Sequence, residues 1–147
     1  LDGGEDPIFI ARRLIIFASE DVGNANPQGL ILATSALTAL QNIGMPEGKI
    51  ILSQVVTYLA SSEKSNASYM AINKAMEWIE AQDTIEVPDH LRNFPPPGAK
   101  KYLYPHNYLN AFVKQDHTSN KIPNFYISSN RGKEKIISDR LENLWKK

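Results

Sequence analysis

Asp6-Pro7-Ile8-Phe9-Ile10-Ala11-Arg12-Arg13-Leu14-Ile15-Ile16-Phe17-Ala18, closed by Gly23, decides the fold of this chain. Asp6 is suited to accept hydrogen bonds from the free amides of a helical first turn. Pro7 fits the first helical position, where its missing N–H is not needed, and Gly23 marks a stop. Only Arg12-Arg13 interrupts the apolar residues. The helix is therefore hydrophobic over most of its circumference and needs cover on several sides. The device recurs downstream, where Asn26 caps, Pro27 begins and Gly44 ends a second helix. Its Leu30, Ala33, Leu37, Leu40 and Ile43 fall at the spacing of one buried stripe. A third helix is predicted over 46–61, with Leu52, Val55, Val56 and Leu59 inward. Short breaks between these three predict antiparallel hairpins. A fourth helix over 65–82 places Tyr69, Ile72, Met76 and Ile79 on one face and Lys74, Glu77 and Glu80 on the other.

Beyond Gln82 the pattern changes. Val87-Pro88-Asp89 predicts one short helical turn through Arg92, and Pro95-Pro96-Pro97 forces an extended crossing. Residues 100–129 show no sustained period. Pro105, Pro123 and the rings of Tyr102, Tyr104, Tyr108, Phe112, Phe125 and Tyr126 read as extended segments anchored on a surface, with room for a short strand pair. A last helix over 133–146 turns Ile137, Leu141 and Leu144 inward. The expected fold is all-α: a bundle of four main helices, a proline-rich crossing, an irregular aromatic arm and a C-terminal helix.

At 147 residues the chain has the length of about one domain. Its 42% hydrophobic and 22% charged content are those of a globular protein, not a disordered one. No apolar stretch approaches the ~20 residues that span a bilayer, and no secretory leader is recognisable. The absence of Cys removes disulfides, thiolate metal sites and cysteine nucleophiles. A reducing, cytoplasmic location is the expectation. Starting at Leu1 without a Met, the chain is expected to be a piece of something longer. The neutral total hides an asymmetry. Residues 1–99 hold twelve acids and six bases, a net −6, whereas residues 100–147 hold ten bases and four acids, a net +6. Such a split marks either a basic end folded back on an acidic body or a polyanion-binding tail.

Motifs that carry chemistry are missing. Gly44-Met45-Pro46-Glu47-Gly48-Lys49 imitates a phosphate loop, but that loop needs four residues between its glycines and a Ser or Thr after the Lys. Here three residues intervene and Ile50 follows. His90, His106 and His117 stand 16 and 11 apart without clustered carboxylates, which is no metal-ligand spacing. No catalytic residue, cofactor-binding residue or metal ligand is assigned. Glu20 and Asp21 oppose the macrodipole at the end of the first helix. Arg12 and Arg13 are the natural compensation, so these four form a candidate buried or interfacial ion network. Lys100, Lys101, Tyr102, Tyr104, His106 and Lys114 are candidates either for anchoring the arm or for contacting DNA.

Gly4-Glu5-Asp6-Pro7-Ile8-Phe9-Ile10-Ala11-Arg12-Arg13-Leu14, continuing to Phe17-Ala18-Ser19-Glu20-Asp21-Val22-Gly23, resembles the replication-associated recombination protein A family (RarA/MgsA). These are bacterial AAA+ ATPases related to clamp loaders and to the Werner-helicase-interacting ATPase. Gly44-Met45-Pro46-Glu47-Gly48, Tyr58-Leu59-Ala60, Lys64-Ser65-Asn66, Val87-Pro88-Asp89-His90-Leu91-Arg92 and Tyr104-Pro105-His106 extend the resemblance over the whole chain. The pattern is broken at Asn24, Asn26, Ser62-Glu63 and the loop 116–121. The resemblance implies the part that follows the ATPase core. Residues 1–25 would be the end of the helical segment after that core, and 26–147 a C-terminal oligomerisation domain. It further implies a homotetramer acting at replication forks in the cytoplasm, at the nucleoid, with DNA and single-strand-binding protein as partners and no membrane. ATP and Mg would belong to the ATPase domain, outside these residues. The competing expectation is a single-stranded or fork DNA-binding module built on the basic C-terminal third.

Overall fold

A computed structural model describes residues 1–146. Five α-helices form: α1 (Pro7–Phe17), α2 (Gln28–Ile43), α3 (Gly48–Ser61), α4 (Ala67–Glu80) and α5 (Lys133–Trp145). Short 3₁₀ turns occupy Asp89–Leu91, Pro105–Asn107 and Leu109–Ala111. The fold is all-α. The short strand pair does not form: among the described residues no strand occurs. Gln115 makes the pairing instead, bonding the amide and the carbonyl of Leu103 at 3.1 and 2.7 Å.

Helix α1 begins as its residues dictate, with the Asp6 carboxylate accepting from the amides of Ile8 and Phe9. It does not stop at Phe17. A π-helical turn over Ala18–Val22 and a 3₁₀ turn over Gly23–Ala25 carry the chain round to α2. A π-turn inserts one residue per turn and swings side chains out of helical register. Here it buries both Ala18 and Val22 in the core.

With α1 packed against α2 and α2 against α3, the first three helices make the core. Ala18, Val22, Ala33, Ala36, Val55 and Leu59 form one buried cluster, and Ala11, Leu40 and Leu52 another. The small side chains let the helices approach closely, and Gly29 adds to this: a Cβ there would meet Leu59 Cδ2 at 2.9 Å. Several sequence expectations are corrected. Leu30, Ile43 and Val56 are exposed, because Gly29, Ala36 and Val55 take the inner stripe. Asn26 does not cap α2 with its side chain; its amide donates to Tyr58 Oη at 3.0 Å and Ser62 Oγ at 3.1 Å, fastening α2 to the end of α3.

Of the four main helices, α1–α3 with the π-turn hold the buried clusters. Helix α4 touches the π-turn and the 3₁₀ turn beside it, and its buried residue is Ala67. Its far side carries the arm: Trp78 meets Phe125 edge to face at 5.9 Å between ring centres. A cleft of about 710 Å³ lined by Ala71, Ala75, Phe125, Ile137 and Leu141 runs between α4, the arm and α5. Two layers result, α1–α3 and α4–arm–α5, joined through residues 18–25.

Candidate functional site

The two layers meet at a polar joint that sequence reading missed. Glu134, in the first turn of α5, is fully buried. Its carboxylate accepts from Ser65 Oγ at 2.8 Å, Tyr126 Oη at 2.7 Å, the Ser129 amide at 2.8 Å and the Ser129 hydroxyl. Ser65, itself buried, donates its amide to the Asp21 carbonyl at 2.7 Å and accepts from the Ala67 amide. One carboxylate thus gathers the start of α4, the arm and α5 onto the end of the π-turn.

Glycines allow the approach. Gly23 and Gly132 both have φ of 51°, where L side chains are strained. A Cβ on Gly23 would strike the Ser65 carbonyl oxygen, and one on Gly132 the carbonyl oxygen of Ala25. Burial pushes the Glu134 carboxyl up, but the hydrogen bonds from Ser129, Tyr126 and Ser65 together outweigh it and hold the group below its usual 4.5. Tyr126 moves the other way: burial, then its bond to Glu134, raises the phenol above 10.0. A first-turn acid in the last helix and the Ser128-Ser129 pair before it were the visible signals. Neither singles out a long-range partner such as Ser65.

The ion quartet is not brought together within the chain. Arg12, Arg13 and Asp21 are exposed and Glu20 half-buried. Among the described residues the ion pairs are Arg92–Asp89, Lys135–Asp139 and Lys146–Glu142, and none involves the four. All three are three or four residues apart and solvent-exposed, the kind worth little. None links the acidic body to the basic end. Among the described residues the basic end is held by the Glu134 joint and by rings, with no ion pair across to the acidic body.

The aromatic candidates separate into two groups. Phe125 and Tyr126 anchor the arm on α4 and Glu134, and Phe112 packs edge to face on Trp145 of α5 at 5.2 Å. Tyr102 and Tyr104 stay exposed, Tyr104 leaning on His106 at 5.1 Å. Phe125→Ala is therefore expected to lower stability by about 1–2 kcal/mol, since the ring is half-buried. Tyr104→Ala should stay within ~0.5 kcal/mol. Thermal melts of the two variants check the difference. Lys100, Lys101 and Lys114 are exposed at a cleft together with Lys121.

The phosphate-loop imitation is a helix joint. The Gly48 amide donates to the Gly44 carbonyl at 2.8 Å, and a Cβ on Gly48 would strike Leu40. The histidines stay apart, and among the described residues no three His, Cys, Asp or Glu side chains cluster as metal ligands. No described helix is long and apolar enough to cross a membrane.

Exposed apolar side chains form the largest unexplained feature. Tyr69, Ile72, Met76 and Ile79 line one face of α4 and are 43–57% exposed. On α1, Phe9 and Ile16 flank Arg12 and Arg13 in a second exposed row.

Comparison with known proteins agrees with the residue strings quoted above. The family model described as MgsA AAA+ ATPase C terminal matches residues 1–145. A replication-associated recombination protein A from Coxiella burnetii is 38% identical over 151 residues, covering 97% of this chain and 34% of the relative. The protein of that name from Escherichia coli K12 is 35% identical over 150 residues, covering 96% and 34%. The ATPase WRNIP1 of Dictyostelium discoideum is 33% identical over 143 residues, 96% of this chain and 16% of that protein. The chain spans about one third of the length of the bacterial relatives.

Proposed function

We propose, from the premise that this chain belongs to the MgsA AAA+ ATPase C-terminal family, that it is the domain through which copies of the parent ATPase assemble. The observation that carries the reading is surface. The chain exposes 10446 Å², whereas a compact monomer of 16.5 kDa exposes about 7,500 Å². The excess, roughly 2,900 Å² per subunit, is at the upper end of what obligate interfaces bury when both partners are counted, and suits a subunit with more than one interface.

The two exposed rows supply the chemistry. An apolar α4 row and an α1 row mixing Phe9 and Ile16 with Arg12 and Arg13 match the residue types enriched in interfaces. Two different self-complementary patches are what a tetramer of two-fold axes requires. The tetramer, the division at residue 25 and an interfacial role for Glu20 and Asp21 belong to the same proposal. Several relatives are named for replication-associated recombination. The parent of this chain is accordingly read as a cytoplasmic, nucleoid-associated ATPase of that process. It would use ATP and Mg in its own ATPase domain and work on DNA with single-strand-binding protein.

Met76→Asp with Ile79→Asp tests the reading. Both side chains are exposed in the monomer, so melting should change little apart from what assembly contributes. Sedimentation velocity at tens of micromolar should show the variant at lower mass than the wild type. Equal mass for the two would remove α4 from the interface.

A further inference from the structure

The tip of the proline crossing carries the most exposed large apolar side chain among the described residues. Phe94 is 92% exposed, and residues 93–98 around it are exposed throughout. The tip is nevertheless held in shape. At its base the Arg92 guanidinium donates to the Val87 carbonyl at 3.2 Å and pairs with Asp89 at 3.3 Å. At its far end the Ala99 amide donates to the Pro96 carbonyl at 3.1 Å. Pro97 and Gly98, with its φ of 85°, take the middle positions of that turn, as a type II turn asks. Between the two ends each proline keeps φ at about −65°. A ring on a frame already ordered loses little further freedom when it is buried, and a Phe offers about 150–250 Å² to bury.

The molecule also holds a receptor of matching chemistry. The cleft of about 710 Å³ between α4, the arm and α5 is lined by Ile72, Pro123, Phe125 and Leu141, and the small Ala71 and Ala75 leave space between them. Two of its polar side chains are already engaged: Asn24 Nδ2 donates to Ser68 Oγ at 3.2 Å, and Tyr126 Oη to Glu134 at 2.7 Å. What remains selects an apolar occupant. Grooves of this kind, with aromatic walls, are where proline-rich segments dock. At 92% exposure Phe94 does not fill the cleft of its own chain. Ile72 belongs both to the cleft and to the exposed α4 row, so the cleft continues the surface assigned above to assembly.

We propose that Phe94-Pro95-Pro96-Pro97 of one copy docks in this cleft of a second copy. The inference rests on the assembly reading and names the segment that each subunit contributes. Across a two-fold axis the contact is made twice, each tip in the other's cleft, so the pair closes on itself.

Photo-cross-linking of the 147-residue chain tests it, with p-benzoylphenylalanine in place of Phe94 and isotopically light and heavy protein mixed before illumination. Cross-links should join position 94 of a light chain to residues 71–75, 123–126 or 137–141 of a heavy one. Links to another surface, or within one chain only, would overturn the proposal. So would an assembled sample without links, the result expected if the tip serves a different protein. Phe94→Ser should raise the dissociation constant of assembly at least about tenfold, as loss of a buried aromatic anchor does. Its melting at dilutions where the wild type is monomeric should stay unchanged, because the side chain is exposed. A wild type that never assembles would end the assembly reading and this inference together. An assembling wild type whose Phe94→Ser variant assembles equally well would end this inference alone.

Discussion

Replacing Glu134 by Ala is expected to lower the stability of the fold by about 3–5 kcal/mol. The carboxylate accepts four hydrogen bonds, from Ser65, Tyr126 and twice from Ser129. Its removal leaves buried donors without partners, which costs more than the net gain of making the bonds. Glu134→Gln keeps the volume and one acceptor oxygen, so its cost should be about half as large. The effect has a pH signature. Because the folded carboxyl lies below its usual 4.5, its contribution is complete above about pH 4.5 and is lost as pH falls through the lower folded value. Tyr126 gives the alkaline counterpart. Held above 10.0, it contributes below that pH, and the contribution is lost as pH rises through the raised value. Urea titrations of the wild type and of Glu134→Gln across the acid range check this. Parallel acid limbs for the two proteins would show that Glu134 is not the group responsible.

Leu59→Ala is the second large effect, expected at about 4 kcal/mol within the usual 2–5 range. Leu59 is 1% exposed and surrounded by Ala18, Val22, Ala33, Ala36 and Val55, with Gly29 against its Cδ2. Small, helix-bound neighbours cannot expand into the space left, so the cavity stays open. Val56→Ala, on the same helix but 45% exposed, should cost less than ~1 kcal/mol. Chemical denaturation of the pair measures both. Equal losses would mean that α3 is rotated from the orientation described.

Val55 and Val56 show where sequence reading reaches and where it stops. Periodicity locates α3 and turns Leu52, Val55 and Leu59 inward correctly, but it gives Val56 the same place. Nearest-neighbour hairpins depend on local stops, and Gly23 and Gly44 are legible because a stop is a local matter. Helix α4 shows the opposite limit. Its row of Tyr69, Ile72, Met76 and Ile79 has the period of a buried face, and a period does not say which molecule does the burying. Placing α4 in a four-helix core assumes that the cover lies within the chain.

The polar joint is invisible for a different reason. Ser65 and Glu134 lie 69 residues apart, and no local rule pairs a serine with a glutamate over that distance. Charge counting is coarse as well. It separates the −6 and +6 parts but does not say what joins them, and the described ion pairs stay local. The basic residues it gathers nevertheless include Lys100, Lys101, Lys114 and Lys121, which line one cleft.

Assembly is the central claim, and the solution mass of the 147-residue chain tests it most directly. Light scattering coupled to size exclusion, at tens of micromolar, should give a multiple of 16.5 kDa, fourfold for the tetramer. A mass of 16.5 kDa that holds across that concentration range would contradict the account.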